Sequence, residues 1–287
     1  MIKIIFSDMD GTLLNSEKKI SDKTARAIFN LTKRGVYVTL STGRGVAEIA
    51  DYKDTLGFIN YGILVSGGYV YDFADKKTIT THPLTEDLVL QLIDAADAEK
   101  AMKHILTVNE SIMSRADINH IEDFHMEIYK DMYERNTIDC TDFKKFVRDN
   151  PGKIMKFNMY HRSPEARQRT LDKFKNAPIT FSYAEETSLE ASPKNISKAS
   201  GLIELCELLK IDISETVAVG DAQNDTEILQ TAGFSVAMGN ATPEIKKIAD
   251  FITLDNDSDG VAAAIEKFFC QRFSRQKTAI FSITSGK

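Results

Sequence analysis

The sequence predicts an α/β protein with a mostly parallel sheet and an inserted α+β domain. Three observations lead to this prediction. Short apolar runs alternate with amphipathic helical patterns at both ends of the chain, an order that favours parallel strands joined by helices. Between residues 84 and 187 this order gives way to an irregular mixture of strand-like and helical segments. Carboxylate, hydroxyl and glycine residues directly follow several apolar runs, which is where open α/β sheets bind ligands.

The composition places the chain among globular proteins. Its 287 residues are enough for one large or two ordinary domains, and 43% of them are hydrophobic. Disordered, collagen-like and repeat-array proteins are therefore excluded as descriptions of the whole chain. The 36 basic and 42 acidic residues leave a formal charge of −6. Because the chain is net-acidic and has no long basic run, we expect no nucleic acid partner.

Cysteine usage and hydropathy indicate the compartment. Cys140, Cys206 and Cys270 are far apart and form no Cys-x-x-Cys pair, as expected of reduced thiols in a cytoplasmic protein. No apolar stretch approaches the length of a membrane span, and only a short apolar run precedes Asp8. We therefore expect a leaderless cytoplasmic protein with no membrane partner, present as a monomer or a small homo-oligomer.

The first 83 residues contain a βαβ unit, a third strand and a hairpin. Ser21 opens a helical pattern that Gly35 closes, so the strands on either side of it are predicted to be parallel neighbours. The buried strands are predicted at 2–6, 36–40 and 61–65.

The rest of the chain divides at Pro193, where the βα order returns. Before it, helices are predicted at 86–98, 142–149 and 164–175, and strands at 103–108, 153–160 and 179–183. After it, helices are predicted at 197–210, directly after Thr242, and at 261–269, and strands at 216–219, 235–238 and 251–254. The tail, residues 271–287, receives neither a structure nor a role.

The polar residues that follow the strands suit a metal ion and a phosphate group. Asp8 and Asp221 offer the anionic oxygen ligands that Mg²⁺ requires. Thr42 and the amides of the glycine-containing turns can donate hydrogen bonds to phosphate oxygens, and Lys198 can neutralise their charge. Taken alone, Asp221 is typical of a helix cap and Lys198 of a solvated helix lysine. Their combination is what indicates phosphate chemistry.

Four motifs occur in order along the chain: Asp8-Met9-Asp10-Gly11-Thr12, Ser41-Thr42-Gly43-Arg44, Ser197-Lys198-Ala199, and Gly220-Asp221 followed by Asn224-Asp225. Over residues 1–269 the sequence resembles the haloacid dehalogenase-like hydrolase superfamily, specifically Cof-type phosphatases with a type IIB cap. The resemblance implies a Rossmann-like core, an inserted α+β type IIB cap domain and a Mg²⁺-dependent phosphohydrolase. The family often has Asn where Ser66 stands, and Gly where Asn195 and Ala199 stand. Because Asn tolerates left-handed backbone angles, Asn195 is an acceptable substitute.

The resemblance also implies the catalytic and metal-binding roles. Asp8 would be the nucleophile that forms an aspartyl-phosphate, and Asp10 would serve first as the general acid and then as the base. Asp8, Asp221 and the main-chain carbonyl of Asp10 would bind Mg²⁺.

The remaining motif residues would bind phosphate or support the site. Arg44 would either contact phosphate or act as a structural clamp, and Asp225 would orient Lys198 or a metal-bound water. The phosphoryl oxygens would be held by the amides of Met9 and Gly43 and by the side chains of Thr42, Lys198 and Asn224. The supporting positions would be Gly11, Thr12, Gly220 and Asp225.

Motif spacing locates the inserted domain. The stretch between Asp8 and Thr42 is too short for a helical cap, whereas the stretch between Thr42 and Lys198 has room for a domain. The predicted catalytic core therefore comprises residues 1–83 and 188–287, and the predicted cap comprises residues 84–187. Such a cap would exclude water during phosphoryl transfer and contact the leaving group.

The predicted function is a phosphoric monoester hydrolase for a small phosphorylated metabolite. A sugar phosphate is the favoured substrate, with pyridoxal phosphate and flavin mononucleotide as further candidates. A phosphomannomutase-like phosphosugar mutase is an alternative because it has the same catalytic pair and cap type. A non-catalytic sensor of a phosphorylated ligand is another, although the intact pair of Asp8 and Asp10 argues against it.

Overall fold

The chain divides into two compact units in the computed structural model, which describes residues 1–52, 56–183 and 185–270. The first unit takes the described residues of Met1–Leu40, Thr55–Tyr61 and Cys206–Lys287, and the second those of Ser41–Asp54 and Gly62–Leu205. These limits differ from the predicted domain limits at 84 and 187, which stay a prediction. The tail at 271–287 lies outside the described residues.

The described residues form the following strands and α-helices. The strands are β1 Ile4–Ser7, β2 Tyr37–Ser41, β3 Tyr61–Leu64, β4 Tyr69–Asp72, β5 Lys77–Thr81, β6 Met102–Leu106, β7 Ser111–Met113, β8 Thr137–Asp139, β9 Lys156–Tyr160, β10 Ile179–Ser182, β11 Ser188–Pro193, β12 Thr216–Gly220, β13 Phe234–Ala237 and β14 Phe251–Ile252. The α-helices are α1 Asp22–Thr32, α2 Glu86–Ala98, α3 Arg115–Ile118, α4 Lys130–Asn136, α5 Phe143–Asp149, α6 Pro164–Lys173, α7 Lys198–Leu209, α8 Thr226–Thr231, α9 Pro243–Ile248 and α10 Gly260–Ile265. None of these described helices is long and apolar enough to cross a bilayer.

The first unit contains a parallel sheet with the strand order β14-β13-β12-β1-β2. β1 lies between β12 and β2, so Ile5 is opposite Val217 on one side and Val38 on the other. Every residue of β1 and β12 is buried, as expected of parallel strands that are covered on both faces. Helix α1 packs against α10, and the hydroxyl of Ser21 accepts a hydrogen bond from the Thr24 amide at 3.1 Å. The predicted helix start is therefore confirmed.

The second unit contains a six-stranded sheet with the order β10-β11-β9-β6-β7-β8. Its neighbouring strands are antiparallel except for β7 and β8. One face packs against α2 and α5 through an apolar core that includes Leu92, Phe157 and Met159. Because side chains alternate along a strand, Lys156 and Asn158 of β9 lie on the other face. β3, β4 and β5 lie side by side in this unit, and the antiparallel pair of β4 and β5 confirms the predicted hairpin.

Three strands of the second sheet were not predicted, and their sequences explain why. β7 and β8 have three residues each, which is too short for a periodic pattern. β11 places only Leu189 and Ala191 in the apolar core, and its other residues are polar or Pro. A strand of this kind is specified by its partners β9 and β10 rather than by its own hydrophobicity.

Candidate active site

Three carboxylates converge in the first unit. Asp8 directly follows β1 and Asp221 directly follows β12, and these two strands are parallel neighbours with Ser7 opposite Val219. Their carboxyl ends therefore meet at one edge of the sheet. Asp8, Asp221 and Asp225 each offer a carboxylate oxygen, and these oxygens all lie within 4.8 Å of one another. Asp8 and Asp225 are buried and Asp221 is half-buried.

The turn after β1 approaches Asp221 closely and fixes its carboxylate. The hydroxyl of Thr12 donates a hydrogen bond to Asp221 Oδ1 at 2.6 Å. Gly11 has a φ of +77°, and a Cβ atom at this position would lie only 2.4 Å from Asp221 Oδ2. Position 11 therefore requires glycine for both its backbone angle and its space. Asn240 Nδ2 donates to the carbonyl of Gly11 at 2.8 Å and holds the turn from its other side.

Asp225 organises the turn that follows β12. Its Oδ2 atom accepts hydrogen bonds from the amides of Asp221 at 3.0 Å and Ala222 at 3.2 Å. A Cβ atom on Gly220 would lie 2.6 Å from the Cβ of Asp225, so the close contact depends on glycine. Asp225 thus shapes the loop that carries Asp221, and its predicted orientation of Lys198 or a metal-bound water stays a prediction.

Asn224 lies in the same turn and has unused hydrogen-bonding capacity. Its Oδ1 atom is buried and has no hydrogen-bond partner among the residues that the structure describes. A buried polar atom of this kind calls for a partner. The NH₂ group of an asparagine can donate hydrogen bonds, and its oxygen can accept them. The predicted contact of Asn224 with the phosphoryl oxygens, which its NH₂ group would make, stays a prediction.

Asp10 has a different environment from Asp8. Its side chain is 30% exposed, and its Oδ1 atom lies 3.0 Å from Lys18 Nζ. The sequence did not point to Lys18. This residue lies in a turn after the first motif, and no sequence pattern predicts its φ of +58°. The predicted base must take a proton from a water molecule, and a partly exposed carboxylate is accessible to water.

The donor set of the first unit fits a divalent metal ion. Carboxylate oxygens this close repel one another, and burial strengthens the repulsion because the local dielectric constant is low. A hard cation removes that repulsion, and Mg²⁺ takes oxygen ligands in octahedral geometry. Asp8 and Asp221, both predicted metal ligands, belong to this cluster. Asp225 is the third member and was predicted only as a supporting residue.

The predicted phosphate-binding residues of the second motif form the Thr42–Arg44 loop of the second unit. The amide of Thr42 donates to the carbonyl of Ile63 at 3.0 Å, and the amide of Arg44 donates to the Thr42 hydroxyl at 3.2 Å. The Arg44 guanidinium donates to the carbonyl of Glu48 at 3.5 Å and lies over the Tyr52 ring. These contacts suit the structural role among the two that were left open for Arg44.

A buried glutamate supports this loop. The amide of Gly45 donates a hydrogen bond to Glu48 Oε2 at 2.9 Å. Burial raises the pKa of Glu48 from 4.5 to about 7, although the same hydrogen bond and the charge of Arg44 lower it in part. Nothing in the sequence marked Glu48, because glutamate side chains are mostly exposed in folded proteins.

Lys198 is the first residue of α7 and its side chain is only 2% exposed. Its predicted neutralisation of phosphate charge stays a prediction. Asn195, which precedes the helix, has a φ of +66°. This confirms that asparagine provides the left-handed conformation where the family commonly has glycine.

A family comparison defines the class of protein. The model of the haloacid dehalogenase-like hydrolases matches residues 5–265, so the chain belongs to that family. The resemblance stated from the four motifs is therefore confirmed.

Individual relatives are phosphatases. The chain is 29% identical over 265 residues to the 5-amino-6-(5-phospho-D-ribitylamino)uracil phosphatase YcsE of Bacillus subtilis, with 92% of this chain and 94% of YcsE covered. It is 26% identical over 282 residues to the phosphatase YwpJ of the same organism, with 91% and 98% covered. Together with the family assignment, these relatives identify a phosphoric monoester hydrolase.

Solved structures share the fold. A haloacid dehalogenase-like hydrolase from B. subtilis has a TM-score of 0.84 at 26% identity, with 93% of this chain and 100% of that chain covered. The subclass IIB sugar phosphatase BT4131 has a TM-score of 0.80 at 21% identity, with 93% and 98% covered. The predicted fold class, an α/β Rossmann-like core with an inserted α+β type IIB cap, is confirmed.

Proposed function

We propose that the chain is a Mg²⁺-dependent phosphatase that hydrolyses a small phosphorylated metabolite through an aspartyl-phosphate on Asp8. The observation that carries the proposal is the convergence of the Asp8, Asp221 and Asp225 carboxylate oxygens within 4.8 Å. Bound there, Mg²⁺ would neutralise the carboxylates and stabilise the charge of the transferring phosphoryl group. Asp8 and Asp221 would hold the ion, together with the main-chain carbonyl of Asp10.

The two carboxylates of the first motif would divide the chemistry. In the first step an oxygen of Asp8 attacks phosphorus, the bond to the leaving oxygen breaks, and Asp10 gives that oxygen a proton. In the second step Asp10 takes a proton from a water molecule, and the water oxygen attacks phosphorus. The bond to Asp8 then breaks, inorganic phosphate leaves, and both carboxylates return to their starting states.

The favoured substrate class is a sugar or sugar-alcohol phosphate. YcsE, the relative that is 29% identical, is named for a substrate with a phosphorylated ribityl chain, which is a polyhydroxylated phosphate ester of this kind. Pyridoxal phosphate and flavin mononucleotide remain candidates, and the latter also carries a phosphorylated ribityl chain. The predicted cap at 84–187 would select among them by its contacts with the leaving group.

Phosphate release from a panel of phosphorylated metabolites tests the proposal. Activity with Mg²⁺ is expected to disappear with EDTA and to return when Mg²⁺ is restored. Asp221→Asn is expected to need far more Mg²⁺, whereas Asp22→Asn, which changes an exposed aspartate of the same unit, is expected to match the wild type. Full turnover in metal-free buffer would contradict the proposal.

The same panel separates the alternative functions. A phosphosugar mutase needs a bisphosphorylated activator and releases little inorganic phosphate. A sensor binds a phosphorylated ligand without turnover. Sustained phosphate release without any activator is the result expected of a phosphatase.

A further inference from the structure

A lysine is buried in the six-stranded sheet of the second unit. Lys156 begins the central strand β9, and its side chain is 0% exposed. Neighbouring Phe157 packs into the apolar core under α2 and α5, so Lys156 points to the opposite face of the sheet. Burying a charged amine costs free energy, so its retention at this position needs a physical reason.

The ammonium group of Lys156 has two partners on different segments. It donates a hydrogen bond to the hydroxyl of Ser66 at 2.9 Å and forms an ion pair with the carboxylate of Glu190 on β11. That carboxylate also accepts a hydrogen bond from the Ser182 hydroxyl at 3.1 Å. Glu190 is thus held by the sheet, and the ammonium group of Lys156 is directed towards Ser66.

The positive end of this pair lies against the Thr42–Arg44 loop. A Cβ atom on Gly43 would be 3.6 Å from Lys156 Nζ and 3.4 Å from Ser66 Oγ. Gly43 is the middle residue of the loop and one of the predicted phosphate-binding amides. Because the surroundings of Lys156 exclude water, its charge is poorly screened at this distance.

Ser66 belongs to a strained turn, Val65–Gly67, that is tied to the same loop. Val65 has a φ of +54°, which a β-branched residue adopts very rarely, and Ser66 has a φ of +56°. The amide of Val65 donates to the carbonyl of Arg44 at 3.0 Å, and the amide of Ser66 donates to the carbonyl of Thr42 at 2.9 Å. Strained conformations persist only where the surrounding contacts enforce them, and they cluster at functional sites.

The other end of the turn lies against the segment that begins α7. A Cβ atom on Gly67 would be 2.2 Å from the carbonyl oxygen of Ser197, the residue before Lys198. The Val65–Gly67 turn therefore contacts both the Thr42–Arg44 loop and the segment that carries Lys198. Lys156 holds the centre of this turn through Ser66.

We propose that Lys156 is a positioning residue for phosphate binding. Its ion pair with Glu190 anchors the Val65–Gly67 turn through Ser66, and the turn fixes the carbonyls of Thr42 and Arg44 so that the loop keeps a shape suited to a phosphoryl group. The inference rests on the proposed function, because it assigns the loop to phosphate. This role differs from a contact with the leaving group, because Lys156 would affect binding of the phosphoryl group, which all phosphate esters share.

The test compares variants that remove the ion pair without leaving a lone buried charge. Lys156→Met alone would leave the Glu190 carboxylate without its positive partner. The main variant is therefore the double substitution Lys156→Met with Glu190→Gln. Lys156→Arg keeps the positive charge and is the rescue variant. Lys153→Met changes an exposed lysine just before β9 and is the matched control.

The inhibition constant of inorganic phosphate is measured in each variant. KM and kcat are measured for two substrates, p-nitrophenyl phosphate and a sugar phosphate. Groups that orient metal ligands typically contribute about 10-fold to 100-fold to metal affinity or activity, and we expect the same range for a residue that orients a phosphate-binding loop. The double variant is therefore expected to raise the phosphate inhibition constant and both KM values by a common factor of about 10 or more. Lys156→Arg is expected to recover part of this loss, and Lys153→Met to show none.

Other outcomes overturn the inference. An unchanged phosphate inhibition constant in the folded double variant would make the ion pair purely structural. A KM increase confined to one substrate would place Lys156 at the leaving group. Failure of the proposed function is recognised separately, because it would appear as absent phosphate release by the wild type. Calorimetric binding of inorganic phosphate to the wild type and the double variant, with Mg²⁺ present, then still decides whether Lys156 positions the loop.

Discussion

Glu48→Gln is predicted to change how the stability of the protein depends on pH. Glu48 is buried beside the Thr42–Arg44 loop, and burial raises the pKa of its carboxyl group from 4.5 to about 7. Between these two values the folded protein keeps a proton that the unfolded chain has released. The free energy of unfolding therefore falls as the pH rises through this window. At about 1.4 kcal/mol per pH unit, the loss amounts to about 3 kcal/mol by pH 7.

A neighbouring histidine has the opposite effect. His104 Nε2 lies 3.6 Å from Glu48 Oε1, and burial, with a smaller contribution from the charge of Lys156, lowers the pKa of His104 from 6.5 to about 3. Between pH 3 and 6.5 the unfolded chain binds a proton that the folded protein does not, so stability rises with pH. From pH 4.5 to 6.5 the two effects oppose each other, and the wild-type profile alone does not reveal either of them.

The variant isolates the glutamate. The substituted glutamine side chain keeps an oxygen that can accept the hydrogen bond from the Gly45 amide, but it does not titrate. Urea unfolding at intervals from pH 4.5 to 7.5 is expected to show the variant gaining about 3 kcal/mol relative to the wild type across the series. Glu127→Gln, at an exposed position of the same unit, is expected to show no such trend. A difference between Glu48→Gln and the wild type that stays constant with pH would refute the reasoning.

Three further predictions concern the first unit. Gly11→Ala is expected to raise the Mg²⁺ concentration for half-maximal activity by about 10-fold or more, whereas Gly35→Ala, at a similar φ but with no atom within 4 Å, is expected to leave it unchanged. Thr12→Val removes the 2.6 Å hydrogen bond to Asp221 and is also expected to raise the Mg²⁺ concentration for half-maximal activity, whereas Thr12→Ser is expected to keep the wild-type value. Asp10→Asn is expected to slow hydrolysis of p-nitrophenyl phosphate by about 10²–10⁴-fold while aspartyl-phosphate accumulates, measured as a burst and as added mass on Asp8; a label on another residue would contradict the assignment.

The meeting of Asp8 and Asp221 could be predicted from the sequence. Each aspartate follows a short, buried strand, and the intervening helical patterns favoured parallel strands. Parallel strands bring their carboxyl ends to one edge of the sheet whatever the details of the loops. The convergence of these two carboxylates could thus be predicted from the direction of the strands and the residues that follow them.

The buried ion pair of Lys156 and Glu190 could not be predicted from the sequence in this way. The alternation of Lys156 to Tyr160 predicts a strand with one apolar and one polar face, and such a polar face is normally solvated. Its burial depends on the Ser66 turn, which lies far away in sequence and has backbone angles that no residue pattern announces. The burial of Glu48 could not be predicted for the same reason, because the local sequence does not show which loops cover a polar group.

The hydrogen bond from Thr12 to Asp221 spans 209 positions of the chain, and this separation has a consequence for biosynthesis. β1 leaves the ribosome early, but its partner β12 follows only after the whole second sheet has been made. Until then the carboxylate of Asp8 lacks its neighbours, and the edge of β1 that β12 will cover has no strand beside it. The nascent chain consequently has no acidic cluster for a divalent ion. Ion binding at this cluster would report that the first and last thirds of the polypeptide have joined.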